Sequence, residues 1–500
     1  MLKDYSLKKV WGLIKDKQEL IAYTLLTVLL FCALFSPVFT WISAIFAVAL
    51  AVFWHQETKL ICLMLYVNSF YALFNYQKIA SVSLDIILVG FITLMLLGCY
   101  VYHVIRNKQK INFKTLIPII LFLIYVLLPF HQYNWQDFFA MLFFFILMYV
   151  VFERRERFDF YLIARFFVIS IIISCFFAMF VDVSPILSEN LTTFTYSDIT
   201  RFQGLSFHPN TLNRFIVMAI CCLFVLKYKN KISFIEFLLY FIPLFIFGYL
   251  TISRSFVLTA LVGTIIFSVF YFLRKKIKAL PLVSLLLGIM LAVGSVFLGV
   301  SKVYIERISE ETTNSPAILY MNLNWKELSI LDLQESFDNQ PETWKQDVLA
   351  GKVHFDPGRP GLNEIYLRDW SDSPKSIWLG YGISKPLIGQ MSSHNLFIQE
   401  LWKHGIVGCL FYLAIILCTI NWKKLKNLKN FKYSLPGLII LVPYLMFTFI
   451  EQCLYDYVNL ILIVFVFTFL CKNDELEKDH DQDDVKDNIS KNGKECFDIS

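Results

Sequence analysis

Apolar stretches of about eighteen or more residues, each long enough to span a bilayer as one helix, recur along this chain between short polar joints. About fourteen meet that length, near 19–37, 38–54, 58–75, 82–104, 113–130, 136–152, 160–181, 209–226, 234–251, 254–273, 280–300, 396–420, 437–452 and 455–471. The first two lie so close that they also read as one re-entrant unit, which puts the expected count at about twelve to fourteen. The pattern predicts an all-α, polytopic integral membrane protein. Its parts are an N-terminal segment 1–18, helices over 19–300, a long polar loop 301–393, further helices over 394–471 and a charged tail 472–500.

The polar joints carry an orientation signal. Basic residues cluster at Lys3, Lys8, Lys9, Lys15 and Lys17; at Arg106, Lys108, Lys110 and Lys114; and at Arg154, Arg155 and Arg157. The series continues with Lys227, Lys229 and Lys231, then Arg274, Lys275, Lys276 and Lys278, then Lys423, Lys424, Lys426, Lys429 and Lys432. With about fourteen crossings all of these fall on one side, which the positive-inside rule assigns to the cytoplasm. Both termini are then cytoplasmic, and the loops 182–208 and 301–393 face away from the cytoplasm at an inner or plasma membrane. The basic start leads into a run long enough to span and shows no small-residue cleavage site, so no cleavable signal peptide is expected.

Composition narrows the classes further. Hydrophobic residues make up 57% and charged residues 17% of the 500, against about 25% charged in soluble domains. The net charge of +6 is distributed as orientation signals, so no nucleic-acid partner is expected. The 11 cysteines form no Cys-x-x-Cys pair and lie mostly inside apolar runs. Neither a disulfide framework nor a zinc site follows from that spacing. The loop 301–393 contains Trp325, Trp344, Trp370 and Trp378. It is small for an independent domain and is expected to cap the membrane core, whereas the charged tail is expected to be disordered.

Against the charge asymmetry, a few basic residues fall on the outward side. Arg201 lies in RFQGLSFHPN, Arg254 in TISRSFVL and Arg359 in DPGRPGLNEIYLRDW, and His394 lies where the long loop re-enters the membrane, in SSHNLFIQELWKHGIVG. Four separate stretches thus deliver candidate chemistry to one face. A guanidinium is planar, always charged and able to bind phosphate through two N–H bonds. Histidine, with a reference pKa near 6.5, can take a proton from a hydroxyl near neutral pH. Together they suit displacement of a pyrophosphate leaving group by a hydroxyl, with no metal or cofactor. Each residue also has an ordinary use: an arginine at a span end anchors to headgroups, Arg201 can pair with Asp198, and His394 with Asn395 can cap a helix. Pro209 and Asn210 open a helix in the ordinary way, and Arg214 lies one turn further in. Asp85 and Glu451 are placed near outer span ends, while Arg165 and Glu236 are expected to snorkel at inner ends.

Four of these segments resemble the O-antigen ligase and polymerase family, membrane glycosyltransferases of bacterial surface-polysaccharide assembly. RFQGLSFHPNTLNRF looks like the family's Arg-x-x-Gly…Pro-Asn element, and TISRSFVLTALVG looks like its Ser/Thr-Arg element. GRPGLNEIYLRDWSDSPKSIWLGYG is similar to its Gly-Arg stretch before a Gly-x-Gly turn, here Gly380 and Gly382. SSHNLFIQELWKHGIVGCLFYL is similar to its His-Asn…Gly-x-x-Gly element, with Gly405 and Gly408. The resemblance spans about residues 195–455 and departs from the family pattern at Pro360 and in the long approach to the Gly-x-Gly turn. It implies transfer of a glycan from undecaprenyl pyrophosphate to an acceptor sugar hydroxyl. Arg254 and Arg359 would hold the pyrophosphate, and His394 would activate or orient the acceptor. Arg201, Asn210, Arg214 and Asn395 would help to bind substrate. Partners implied are the lipid-linked oligosaccharide, the acceptor glycan and membrane lipids, with chain-length regulator and flippase proteins as further candidates. The Arg…Pro-Asn element favours a polymerase. A ligase of the same family, a multi-span transporter or flippase, and a non-catalytic member of an export assembly are the alternatives.

Overall fold

The computed structural model describes residues 18–180, 193–196, 199–290, 340–419 and 431–448, apart from single positions and short gaps within them. The expected crossing at 455–471, the end of the one at 280–300, the N-terminal basic cluster, loop residues 301–339, Glu451 and the charged tail lie outside the described residues.

Among the described residues the chain is mostly helical. The first helices are α1 (Gln18–Ala33), α2 (Pro37–Phe53), α3 (Glu57–Asn68), α4 (Tyr71–Asn75), α5 (Leu84–Arg106), α6 (Phe113–Val126), α7 (Trp135–Arg154) and α8 (Phe160–Ala178). There follow α9 (Pro209–Tyr228), α10 (Phe234–Leu250) and α11 (Arg254–Lys275). The long loop contributes α12 (Glu342–Leu349), α13 (Gly358–Ser371) and α14 (Pro374–Leu379), before α15 (Leu396–Thr419) and α16 (Phe431–Thr448). Two short antiparallel ribbons interrupt them: β1 (Lys78–Ile79) with β2 (Val82–Ser83), and β3 (Thr193–Tyr196) with β4 (Ile199–Phe202).

Among the described residues, five helical stretches are long and apolar enough to cross a membrane: Leu84–Arg106, Phe160–Ala178, Pro209–Tyr228, Ser255–Leu273 and Leu396–Thr419. At 1.5 Å per residue, α5 measures about 35 Å, enough for a hydrocarbon layer of about 30 Å. Shorter apolar helices, including α1, α2, α6 and α10, accompany them. The closely spaced first pair forms two separate helices, joined through Leu34–Ser36 and packed side by side.

The centre of the bundle is α9. From Phe215 to Leu226 it is apolar around its whole circumference, so it must be enclosed, and nearly every side chain from Pro209 to Tyr228 is buried. α8, α10, α11 and α16 pack around it. Phenylalanines fill the joint: Phe224 stacks on Phe267 with centroids 4.5 Å apart and also meets Phe237 and Phe241. Peripheral helices instead expose apolar side chains, among them Leu239 and Ile246 on α10 and Ile265 and Val269 on α11. Such faces suit lipid rather than water.

Charges near helix ends are more tightly held than their sequence context suggests. Arg154, counted among the basic loop residues, is buried, and its Nη2 and Nε lie 2.6 and 2.9 Å from Glu57 Oε1. The pairing ties the end of α7 to the start of α3. Arg165 and Glu236, expected to snorkel at inner ends, pair with each other at 3.0 Å. A third difference concerns α15, expected as one uninterrupted span. Gly405 adopts φ +61 and ψ −172 within it, which breaks the helix one turn after the buried Trp402.

Candidate functional site

The sequence segments that carry the candidate chemistry fold into two assemblies. The first joins the starts of α9 and α11. Arg201 lies on β4 opposite Phe194, and the chain then turns through Gly204, which has φ +59. Ser206 Oγ donates to the Gln203 carbonyl at 2.6 Å, and the Leu205 carbonyl accepts from Ala72 N–H at 2.9 Å. This pins the turn to α4. His208 is the N-cap of α9, with its Nδ1 accepting from Asn210 N–H at 3.2 Å, and Pro209 occupies the first turn where no N–H is needed.

Asn210, Asn213 and Arg214 follow on α9, and all are buried. Asn213 Nδ2 donates to Ser253 Oγ at 3.0 Å and to Ser255 Oγ at 2.8 Å. Ser253 Oγ in turn donates to Asn210 Oδ1 at 3.3 Å, and the two serine hydroxyls are 2.6 Å apart. Arg254 stands between those serines as the first residue of α11. The Pro-Asn element and the Ser-Arg element are therefore stitched together by buried hydrogen bonds. Low polarity around such a network strengthens each bond and penalises any loss.

The second assembly joins the long loop to α15 and α6. Gly380 and Gly382 have φ +70 and +101. Tyr381 N–H donates to the Trp402 carbonyl at 3.2 Å and Gly382 N–H to the Lys403 carbonyl at 2.7 Å. On the other side Gln132 N–H donates to the Tyr381 carbonyl, and Ser384 N–H to the Gln132 carbonyl, both at 3.0 Å. The turn thus runs as an extra strand-like layer between the α6–α7 loop and the break in α15. Tyr125 Oη lies 2.8 Å from both the Leu379 and the His404 carbonyls. His131 places Nδ1 2.8 Å from the Tyr125 carbonyl and Nε2 2.8 Å from the Leu379 carbonyl. Burial holds the His131 imidazole below its ordinary range, outweighing the two carbonyl contacts, which favour the charged ring.

The loop helices make a small core of their own on this platform. Val348 of α12, Ile365 and Tyr366 of α13, Ile388 and Trp402 pack together. Trp402 Nε1 donates to Asp369 Oδ2 at 2.7 Å, and Lys385 Nζ sits 3.6 Å from the same oxygen and 3.6 Å from the centroid of the Tyr381 ring. Burial, and then the charge of Asp369, push the Tyr381 phenol up to about 12. Among the described residues, α13 and α14 pack against the first half of α15. Trp325 of the same loop lies outside the described residues.

His394 lies two residues before the first residue of α15. Its φ of +53 puts a non-glycine residue in the left-handed region, a conformation that costs roughly 1–2 kcal/mol and persists where neighbours hold it. Here Ser393 N–H donates to Gln399 Oε1 at 3.0 Å, and Asn395 N–H donates to Ser393 Oγ at 3.2 Å. Asn395 Oδ1 accepts from Phe397 and Ile398 N–H at 3.0 and 3.3 Å. The N-cap is therefore Asn395, and His394, half-buried, is held just outside the helix.

Of the residues expected to act on or bind substrate, Asn210, Arg214, His394 and Asn395 have described side chains. For Arg201, Arg254 and Arg359 only the backbone placement is described: on β4, at the start of α11 and at the second position of α13. The convergence expected of these arginines falls on side chains outside the described ones. Sequence reading did not single out Asn213, Ser253, Ser255, Tyr125, His131 or Gln132. Asn213 carried a signal, since it lies three residues after Asn210 and so on the same helix face. Tyr125 and His131 carried none, as they end one apolar run and meet residues about 250 positions away. A buried pair also emerges at His404 Nε2 and Glu400 Oε2, 3.4 Å apart, with Tyr412 Oη donating to that oxygen at 3.1 Å. Neither a protein-family model nor a curated protein matches the chain.

Proposed function

We propose that this protein is a membrane glycosyltransferase of the O-antigen ligase and polymerase type, which joins oligosaccharide repeat units carried on undecaprenyl pyrophosphate. The observation that carries the reading is pairwise assembly of the motif segments. The Pro-Asn element meets the Ser-Arg element through Asn210, Asn213, Ser253 and Ser255, and the Gly-x-Gly turn meets the His-Asn…Gly-x-x-Gly element at Gly380 and Gly405. In this reading about twelve to fourteen helices cross the membrane, both termini are cytoplasmic, and residues 301–393 lie outside.

The reaction is a substitution at the anomeric carbon of the donor. The acceptor hydroxyl oxygen forms a bond to that carbon as the bond from carbon to the pyrophosphate oxygen breaks. His394 takes the hydroxyl proton, and the leaving electron pair stays on the pyrophosphate, whose growing charge Arg254 and Arg359 meet. Charge-assisted, bidentate contacts are the strong ones for such a group. Arg201, Asn210, Arg214 and Asn395 shape the surroundings of donor and acceptor.

The test is the surface-polysaccharide ladder of a deletion strain complemented with wild type, His394→Ala or Arg254→Ala. Both variants should reach the membrane and leave single repeat units on the usual acceptor without a ladder. Full-length polymer accumulating on the carrier lipid would identify a ligase instead, and an unchanged ladder in the deletion strain would end the proposal.

A further inference from the structure

Asn213 is fully buried at the centre of the bundle, yet it is polar among the apolar neighbours Phe215, Ile216 and Val217. A primary amide has two N–H bonds, and Asn213 gives both to the residues that flank Arg254, Ser253 Oγ at 3.0 Å and Ser255 Oγ at 2.8 Å. Its own Oδ1 accepts no hydrogen bond among the described residues. Packing alone would favour an apolar side chain there, because a half-satisfied buried amide is unfavourable. What the amide adds is register: it fixes the residue before and the residue after Arg254 to one point on α9. Ser253 extends the clamp to Asn210, so the first turn of α11 is set by α9 on both sides of the arginine.

We infer that Asn213 is a positioning residue, clamping the Ser253–Arg254–Ser255 turn so that Arg254 meets the pyrophosphate of a polyprenyl-linked donor from a fixed backbone. This role presupposes Arg254 as a pyrophosphate ligand. Asn213 itself touches no substrate; it acts through Arg254. A merely structural stitch between α9 and α11 would change stability and leave binding alone. A clamp changes binding, and changes it only while Arg254 is present.

The experiment measures binding of farnesyl pyrophosphate and of inorganic pyrophosphate to the purified full chain in detergent, with thermal unfolding followed in parallel. The variants are Asn213→Leu, which fills the space without donors, Ser253→Ala with Ser255→Ala, Arg254→Ala, and Asn213→Leu combined with Arg254→Ala. Asn213→Leu and the double serine variant should each weaken farnesyl pyrophosphate binding about tenfold, the order of one lost hydrogen-bonded constraint. Inorganic pyrophosphate should bind more weakly than the lipid form but respond in the same way. Adding Asn213→Leu to Arg254→Ala should cause no further loss, as a residue acting through another requires. If Arg254→Ala weakens binding while Asn213→Leu and the serine variant bind like wild type, or if the losses add, the clamp is overturned and the pyrophosphate reading survives. If Arg254→Ala binds like wild type, the pyrophosphate reading falls and the clamp falls with it.

Discussion

Gly380 and Gly405 meet backbone to backbone: a Cβ on Gly380 would lie 2.5 Å from the Gly405 amide nitrogen, and a Cβ on Gly405 would lie 2.6 Å from that of Gly380. Both have positive φ, so each position excludes a side chain by conformation and by contact at once. This is where the long loop is fastened to the break in α15, eleven residues after His394.

Gly380→Ala and Gly405→Ala should each destabilise the protein by roughly 2 kcal/mol or more, combining left-handed strain with overpacking against backbone. Gly98 on α5 provides the control, because nothing lies within 4 Å of its Cβ position. Gly98→Ala should be neutral or raise stability by up to about 1 kcal/mol. Thermal unfolding in detergent separates the two classes. Equal effects at all three sites would contradict the contact.

His131 should make the fastening sensitive to acid. Its folded pKa is depressed, chiefly by burial, so the unfolded chain takes up a proton that the folded chain disfavours. The stability contributed by the neutral ring is complete above the ordinary histidine value near 6.5 and is lost as the pH falls below it. Wild-type melting temperature should therefore drop more steeply below that pH than that of His131→Gln. Tyr125→Phe should cost about 1–3 kcal/mol at any pH between 5 and 8, since it leaves the Leu379 or the His404 carbonyl short of a donor. Parallel pH slopes for wild type and His131→Gln would rule the imidazole out as the sensor.

The buried pair of Arg154 and Glu57 should behave unlike a loop charge. Removing one partner alone, as in Arg154→Ala, leaves a carboxylate stranded and should cost about 3–5 kcal/mol. Replacing both together, Glu57→Gln with Arg154→Met, should cost less than Arg154→Ala alone. A single substitution as mild as that of an exposed loop arginine would show that the pair does not hold α7 to α3.

The legible parts of this fold are those written in local pattern. The apolar runs 82–104 and 209–226 became the helices Leu84–Arg106 and Pro209–Tyr228 because a long apolar stretch satisfies its backbone only internally once it leaves water. Pro209 and Asn210 announced the start of α9, and Asn395 that of α15 through capping chemistry, while the N-cap role of His208 emerged only in the structure. The break at Gly405 was hidden, because one glycine in an apolar run is compatible with a continuous helix. What forces the break is the approach of Gly380, a contact between distant segments. Tyr125 and His131 were hidden for the same reason, as ordinary residues at the end of one run. Arg154 shows the converse: a basic loop residue by sequence, it is buried because Glu57 comes to meet it.

The most direct measurement of the central claim is a transfer assay with purified protein and lipid-linked repeat units extracted from the deletion strain. Wild type should convert them into a ladder of longer lipid-linked chains and release undecaprenyl pyrophosphate for each bond formed. His394→Ala, of equal thermal stability, should bind the donor and yield neither product. Consumption of no donor by the wild type, or an undiminished ladder from His394→Ala, would contradict the account.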